Sequence, residues 1–219
     1  MSYVITIDGP AGAGKSSVAK ILAKKLGINY LDTGAIYRAI ALILNSAEIK
    51  SDDELNIREA LNNIKIELQD GKIFVNDLDV SSEIRTPEAD KLASEYSAVP
   101  AVREALLNLQ RVQIFHGSLI AEGRDVGSVV FPDAELKFFI TASPEVRAKR
   151  RFEQRKRKGL DVNYNEILNA INSRDDNDSH RRLSPLKVPE NAIYIDTSEM
   201  SQDQVINKIL NIVAKKELN

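Results

Sequence analysis

The sequence predicts an α/β protein in which a parallel β-sheet is flanked by helices. Short apolar or β-branched segments, which are typical of buried strands, occur at residues 3–7, 29–31, 118–121, 136–141 and 192–195. Amphipathic helical patterns separate several of these segments. Because strands that alternate with helices usually pair in parallel, this order favours one parallel sheet.

The helices of the first half are predicted from apolar residues that recur about every 3.6 positions. One such pattern covers residues 18–26 and ends at Gly27, a residue type that commonly terminates helices. Similar patterns cover residues 36–44 and 101–115.

Two helix starts in the C-terminal part are marked by capping residues. Ser143-Pro144-Glu145 combines a capping hydroxyl, a first-turn proline and an acidic residue near the positive end of the helix dipole. Ser201 and Gln204 have the spacing of a capping box, which predicts a final helix over residues 205–213.

Residues 46–100 depart from this alternation and are interpreted as an insertion. Residues 64–68 and 72–75 alternate apolar and polar side chains on either side of Asp70-Gly71, which predicts an antiparallel hairpin with one solvated face. Two prolines are interpreted as breaks in local structure, Pro87 and Pro100.

The composition is that of an ordinary globular protein. The 219 residues are 43% hydrophobic and 28% charged, which suffices for the core of one domain. A net charge of -2 gives no overall attraction to nucleic acid or membranes. Without cysteine, disulfides, thiolate catalysis and Cys-ligated zinc are excluded, and His116 and His180 form no metal-ligand motif. We expect neither a signal peptide nor a membrane-spanning segment.

The strongest functional signal is a glycine-rich loop between the first strand and the first helix. It consists of Gly9, Pro10, Ala11, Gly12, Ala13, Gly14, Lys15 and Ser16, and Ser17 follows it. The loop matches the phosphate-binding pattern G-x-x-x-x-G-K-[ST] in the strand–loop–helix context that this pattern requires. Its N–H groups would hold a polyphosphate, Lys15 would add positive charge, and Ser16 would bind Mg²⁺. The sequence therefore predicts a site for a nucleoside triphosphate and Mg²⁺.

The loop alone does not distinguish a kinase from a GTPase or a motor protein. The nearest match to the GTPase base-recognition motif N-K-x-D lies at residues 207–210 and lacks the acidic residue. Glu122, directly after a predicted strand, could order Mg²⁺-bound water, and a plain loop carboxylate fits its position equally well.

A basic stretch, RAKRRFEQRKRK, covers residues 147–158 of the helix that starts near Ser143. It could be a solvated helix face, a nucleic-acid-binding patch, or a mobile lid that closes arginines over a transferred phosphoryl group. Next to a phosphate loop the lid is favoured, because phosphoryl transfer requires cations near the oxygens of the transferred group.

Other arginines are accompanied by acidic residues. Arg174, Asp178 and Arg181 are spaced to share one face of a helix, where they could bind a phosphate and a sugar or form an internal ion-pair ladder. Arg124 and Asp125 follow a predicted strand, at the end of the strands where parallel α/β sheets bind ligands.

With these residues in view, the chain resembles bacterial-type cytidylate kinases over nearly its whole length. The matching stretches are ITIDGPAGAGKSS, YLDTGAIYRAIAL, VSSEIRTPE, VREALL, EGRDVGSVVFPDA, and RDDND followed by HRR. Several of them are long and specific to that family, unlike the phosphate loop. The resemblance implies a single P-loop kinase domain. Its parts would be a core at about 1–45, 101–142 and 190–219, a monophosphate-binding insertion at about 46–100 and a lid at about 143–160.

The resemblance also implies roles for individual residues. The CMP phosphate would be bound by three arginines, Arg38, Arg124 and Arg181. The cytosine would be recognised by Ser94, Arg103 and Asp125. The sugar hydroxyls would be bound by Arg174 and Asp178, and the same pocket would be lined by Asp32 and Thr33. The transferred phosphoryl group would be stabilised by Lys15, Arg124, Arg147, Arg150 and Arg151.

The implied reaction transfers the γ-phosphoryl group of ATP to CMP or dCMP with Mg²⁺. The resemblance further implies a cytoplasmic monomer whose partners are small molecules, without nucleic acid or membrane. One open alternative is a kinase of this fold with another acceptor, such as UMP, dTMP, shikimate or a nucleoside. Another is a nucleotide-dependent module whose basic helix binds RNA, although the net charge of -2 argues against it.

Overall fold

The computed structural model describes residues 2–69, 71–157 and 159–216. These residues form two compact units, which divide after Leu31 and after Gln113. The first unit combines the N-terminal and C-terminal parts of the chain, and the second is Asp32–Gln113. No helix among the described residues is long and apolar enough to cross a lipid bilayer.

The first unit is built on a five-stranded sheet with the strand order β2-β6-β1-β7-β8. Its strands are β1 (Val4–Asp8), β2 (Asn29–Asp32), β6 (Leu119–Gly123), β7 (Leu136–Thr141) and β8 (Ile193–Asp196). β1 is parallel to β6 and to β7, and β7 is parallel to β8. The parallel sheet confirms the predicted fold class, and its strands lie close to the predicted positions.

The α-helices of the first unit are α1 (Lys15–Leu26), α6 (Pro144–Arg157), α7 (Tyr164–His180) and α8 (Gln202–Lys215), and a short π-helix covers Val126–Val130. Fully buried side chains of the sheet, such as Ile5 and Phe138, pack with Leu22 of α1 and Ile209 of α8 in one core. A smaller apolar cluster joins α6 and α7. The three predicted helix signals are confirmed. Gly27 follows α1 with a left-handed φ of 66°, Ser143 Oγ accepts the Val146 N–H at the start of α6, and α8 begins with the capping box.

The second unit combines four helices with a small antiparallel sheet. The helices are α2 (Thr33–Ser46), α3 (Glu54–Asn62), α4 (Pro87–Tyr96) and α5 (Pro100–Arg111). The strands are β3 (Ile66–Gln69), β4 (Lys72–Val75) and β5 (Leu78–Asp79). β3 and β4 pair antiparallel, as the alternation predicted, and Asp70 of the predicted turn lies outside the described residues.

The two prolines of this region start helices, so the interpretation as breaks is wrong. Pro87 and Pro100 occupy the first turns of α4 and α5, where the missing N–H group has no partner to lose. The second unit also contains α3 and α4, which were not predicted. The predicted insertion at 46–100 lies within the second unit, and the division into core, insertion and lid remains a prediction.

Candidate active site

The phosphate loop connects β1 to α1 in a conformation that its glycines allow. Gly9, Gly12 and Gly14 have φ angles of 146°, 78° and 93°, which other residues rarely adopt. A Cβ atom on Gly9 would lie 1.9 Å from the carbonyl oxygen of Ile140, so only glycine fits there. The tight turn and the N-terminus of α1 that follows it suit a polyphosphate.

Lys15, the first residue of α1, is only 5% exposed. Its Nζ donates a hydrogen bond to the carbonyl oxygen of Pro10 at 2.9 Å. Burial, followed by the charge of Arg124, lowers the pKa of Lys15 to about 7. A bound polyphosphate would favour the charged ammonium again, because it places anionic oxygens beside the side chain.

Ser16, the predicted Mg²⁺ ligand, is paired with Glu122 of β6. Ser16 Oγ donates to Glu122 Oε1 at 2.6 Å, and the Tyr30 hydroxyl donates to the same oxygen at 3.3 Å. A serine hydroxyl whose proton is held by a carboxylate keeps its lone pairs for a cation, so this pair fits Mg²⁺. The described residues contain no group of three or more His, Cys, Asp or Glu side chains that could hold a metal. Phosphate oxygens and water would therefore supply the other ligands, as is usual for Mg²⁺. Ser17 is exposed on the next position of α1.

Four charged residues that the resemblance assigns to CMP meet in the first unit. Arg124 Nε donates to Asp178 Oδ2 at 2.8 Å. Arg181 is 3.8 Å from the other oxygen of Asp178 and 3.6 Å from Asp125. Burial raises the pKa of Asp178, but the charges of Arg124, Arg174 and Arg181 outweigh burial and leave it lowered. Asp178 therefore remains a carboxylate that holds two guanidinium groups together.

The predicted helical face of Arg174, Asp178 and Arg181 needs one correction. Helix α7 ends at His180, and Arg181 has an extended backbone with φ -60° and ψ 139°. Arg181 Nε instead donates to the carbonyl oxygen of Ser184 at 2.7 Å. The loop after α7 therefore holds this side chain together with Asp178 of the helix.

Asp32 organises the predicted binding residues at the start of the second unit. Its Oδ1 accepts a hydrogen bond from the Ala35 N–H at 2.8 Å and so caps α2. Its Oδ2 is 3.1 Å from Arg38 and also 3.1 Å from Arg85. Burial raises the pKa of Asp32, but the two arginine charges outweigh this effect and lower it. Thr33, the first residue of α2, is buried.

The two remaining base-recognition candidates are joined through Ser97. Arg103 of α5 donates to the carbonyl oxygen of Ser97 at 2.9 Å, and its guanidinium lies 5.4 Å from the centre of the Tyr37 ring. The Ser97 hydroxyl donates to the carbonyl oxygen of Ser94 at 3.1 Å. The hydrogen bond and the ring contact together hold the Arg103 guanidinium beside Tyr37.

Arg147 of α6 is held by contacts to three parts of the first unit. Its Nε donates to the Ala142 carbonyl oxygen at 2.8 Å and its NH1 to the Ala11 carbonyl oxygen at 2.9 Å. Its NH2 lies 2.6 Å from Asp175 Oδ2. The buried guanidinium therefore ties the phosphate loop to α7.

The other lid candidates lie nearer the surface. Arg150 donates to the hydroxyl and the carbonyl oxygen of Thr197, at 3.1 Å and 2.6 Å. Arg151 is half-buried, and Lys158 of the basic stretch lies outside the described residues. The catalytic roles of the three lid arginines remain predictions.

Residues of these networks that the sequence analysis did not single out include Tyr30, Tyr37, Arg85 and Asp175. Each lies inside a stretch that carries the family resemblance. Their place inside these stretches could have marked them as candidates. The sequence alone does not show which distant atoms their side chains contact.

Comparison with known proteins establishes the family. A family model described as cytidylate kinase matches residues 5–215. The chain belongs to the cytidylate kinase family. A cytidylate kinase from Fervidobacterium nodosum is 49% identical over 99% of this chain and 98% of its own length. A cytidylate kinase from Pseudothermotoga lettingae is 46% identical over 98% of this chain and 95% of its own length.

A solved structure also resembles the chain. The crystal structure of an uncharacterized protein from Eubacterium ventriosum has a TM-score of 0.52 and 15% identity, and the match covers 97% of this chain and 99% of that one. At this identity the similarity shows the fold alone. The family match confirms the resemblance that the sequence motifs indicated.

Proposed function

We propose that this protein transfers the γ-phosphoryl group of ATP to CMP or dCMP and forms ADP with CDP or dCDP. The observation that carries the proposal is the family match over residues 5–215. The geometry supports both halves of the reaction. A phosphate loop with the buried Lys15 suits the donor, and the cluster around Asp178 suits an anionic acceptor.

On the donor side, residues 9–17 would hold the phosphates of ATP. Lys15 would contact the β- and γ-phosphates, while Ser16, with its proton held by Glu122, would bind Mg²⁺. When bound, Mg²⁺ neutralises part of the charge on the transferred phosphoryl group.

On the acceptor side, Arg38, Arg124 and Arg181 would bind the CMP phosphate. Ser94, Arg103 and Asp125 would recognise cytosine, which offers one amino donor and two acceptors on its edge. The sugar hydroxyls would be bound by Arg174 and Asp178, and Asp32 and Thr33 would line the acceptor pocket. A base with another pattern would leave buried polar groups unpaired, and this cost would exclude it.

The chemistry requires positioning and charge neutralisation. The acceptor phosphate is ionised near neutral pH, so direct in-line transfer needs neither a general base nor a covalent intermediate. Orientation of two bound nucleotides could supply about 7–11 kcal/mol of the barrier. The charge of the transferred group would be stabilised by Lys15, Arg124, Arg147, Arg150 and Arg151.

An acceptor panel tests the proposal. ADP formation is measured with ATP, Mg²⁺ and, in turn, CMP, dCMP, UMP, dTMP and shikimate. We expect turnover with CMP and dCMP and at least about tenfold lower kcat/KM with the others. Equal turnover of UMP would contradict the roles of Arg103 and Asp125, and turnover of shikimate alone would replace the proposed acceptor.

The same proposal includes a monomer with small-molecule partners and a cytoplasmic location. Sedimentation of the protein alone would test the monomer. The RNA-binding alternative predicts binding that weakens steeply with salt and no ADP formation with CMP.

A further inference from the structure

Asp8, the last residue of β1, is a fully buried carboxylate to which the reaction above gives no role. Its Oδ1 accepts the Val126 N–H at 2.8 Å, and its Oδ2 accepts the Gly127 N–H at 2.7 Å. These two N–H groups begin the π-helix Val126–Val130, whose preceding residue is Asp125. One side chain therefore fixes both donors at the start of this helix.

We propose that Asp8 is a positioning residue that holds Arg124 and Asp125 in a fixed place relative to the phosphate loop. The inference rests on the proposed function, which assigns these two residues to CMP. Asp8 directly precedes Gly9 of the loop, and its hydrogen bonds fix the backbone that directly follows Asp125. Movement of this backbone would displace the acceptor ligands while leaving the loop in place.

The chemistry of the contact explains why a carboxylate stands here. Both partners are N–H donors, and a carboxylate offers two acceptor oxygens, whereas an asparagine would turn its NH₂ group toward one donor. Burial raises the pKa of Asp8 to about 6, the two backbone N–H groups and Lys15 act against this, and Asp125 adds to it. Near neutral pH, burial of the charged carboxylate opposes folding. Ionisable groups with such perturbed pKa values are common at functional sites.

Gly127, on the other side of this contact, allows the π-helix to approach β1 closely. A Cβ atom on Gly127 would lie 2.6 Å from Thr6 Oγ1 and 3.2 Å from Asp8 Oδ2. Glycine therefore lets the start of the π-helix reach the carboxylate. Thr6 lies two residues before Asp8 on β1, and its buried hydroxyl has no hydrogen-bond partner among the described residues. Thr6→Val is thus a matched control at the same contact.

The test compares Asp8→Asn and Thr6→Val with the wild type. Steady-state kinetics with CMP and ATP varied separately, ATP binding by calorimetry and thermal melting at pH 8 are measured. Asp8→Asn should lose about 10²-fold in kcat/KM for CMP, the size expected for a displaced ligand. Its ATP dissociation constant should stay within about threefold. Its melting temperature at pH 8 should change little, because removal of the buried charge offsets the N–H group that asparagine leaves unpaired. Thr6→Val should match the wild type in kinetics.

Two results would overturn the positioning role. One is an Asp8→Asn variant with wild-type kcat/KM for CMP. The other is a parallel loss of ATP affinity, CMP turnover and melting temperature, which is the behaviour of a general structural residue. A wild-type protein that forms no ADP with CMP would instead disprove the proposed function, and the inference with it.

Gly127→Ala perturbs the same contact without changing the carboxylate, and it decides the matter if Asp8→Asn does not fold. We expect it to lower kcat/KM for CMP and to keep ATP affinity. The double variant Thr6→Ala/Gly127→Ala should recover part of the loss, because it removes the 2.6 Å contact. Unchanged CMP kinetics in Gly127→Ala, or no recovery in the double variant, would count against the proposal.

Discussion

At the scale of single residues, Asp8 makes the stability of the fold depend on pH. Its pKa is raised from 3.8 to about 6, mainly by burial, so the folded protein binds this proton more tightly than the unfolded chain. The stabilising contribution is therefore full below about pH 4 and is lost as the pH rises through about 6. The total is about 3 kcal/mol.

Asp8→Asn removes this titration and leaves Asp125 and Lys15, the nearby titratable groups, in place. Relative to the wild type, the variant should therefore gain free energy of unfolding as the pH rises from about 4 to about 6.5. Urea unfolding at a series of pH values measures the difference. A difference that does not change with pH would show that Asp8 is not strongly perturbed.

The pairing of Ser16 with Glu122 leads to a prediction about Mg²⁺. Glu122→Gln keeps the size of the side chain but removes its negative charge, so it should hold the Ser16 proton less firmly. The Mg²⁺ concentration for half-maximal ADP formation should rise about tenfold or more, as is typical when a partner of a metal ligand is lost. Lys24→Gln, at an exposed position further along α1 and outside the phosphate loop, should leave it unchanged. Equal Mg²⁺ dependence in all three proteins would disprove the metal role of this pair.

At the scale of secondary-structure elements, Arg147 connects α6, α7 and the phosphate loop. Arg147→Met would leave Asp175 without its cation and the Ala11 carbonyl without its donor. We expect a loss of about 2–4 kcal/mol in free energy of unfolding, because removing the arginine leaves the Asp175 carboxylate as an unpaired, largely buried charge. Lys149→Met, on the exposed face of the same helix, should change it by less than about 0.5 kcal/mol. Urea unfolding distinguishes the two, and similar midpoints would mean that the link does not stabilise the fold.

Elements could be predicted where their signals are local. The strands of the parallel sheet are apolar runs, α1 ends at a glycine, and α8 begins with a capping box whose bonds lie within four residues. The errors arose where one signal has two meanings. Proline interrupts a helix when it lies in the helix interior but is favoured in the first turn. Pro87 and Pro100 were therefore interpreted as breaks, although both begin helices.

In the candidate site, too, local features could be predicted from the sequence and contacts between distant residues could not. The phosphate loop is contiguous, and its pattern alone gave the donor side. The bond from Val126 to Asp8 joins residues 118 positions apart, so no local pattern contains it. Arg147 is a similar case, because its sequence context is a basic helix but its guanidinium is buried against Ala11 and Asp175. Tertiary structure decides which arginines of such a helix face solvent.

At the scale of the whole molecule, the net charge of -2 would repel two nucleotide anions if it acted alone. We therefore expect nucleotide binding to depend on local clusters of guanidinium groups. Asp178 gathers Arg124 and Arg181, and Asp32 gathers Arg38 and Arg85. Because these carboxylates are buried and paired, the arginines are held in place before an acceptor arrives, which reduces the entropy cost of binding.

This arrangement predicts which arginines the acceptor requires. Arg181→Ala and Arg38→Ala should each lower kcat/KM for CMP by about 10³-fold, within the range for arginines in phosphoryl transfer, and leave the KM for ATP within about threefold. Arg182→Ala removes the same charge from the exposed neighbour of Arg181, so it should stay close to the wild type if position rather than net charge matters. Steady-state kinetics with circular dichroism as a check on folding would decide. Comparable losses in Arg181→Ala and Arg182→Ala would mean that the overall field attracts CMP, and the assignment of individual phosphate ligands would then be wrong.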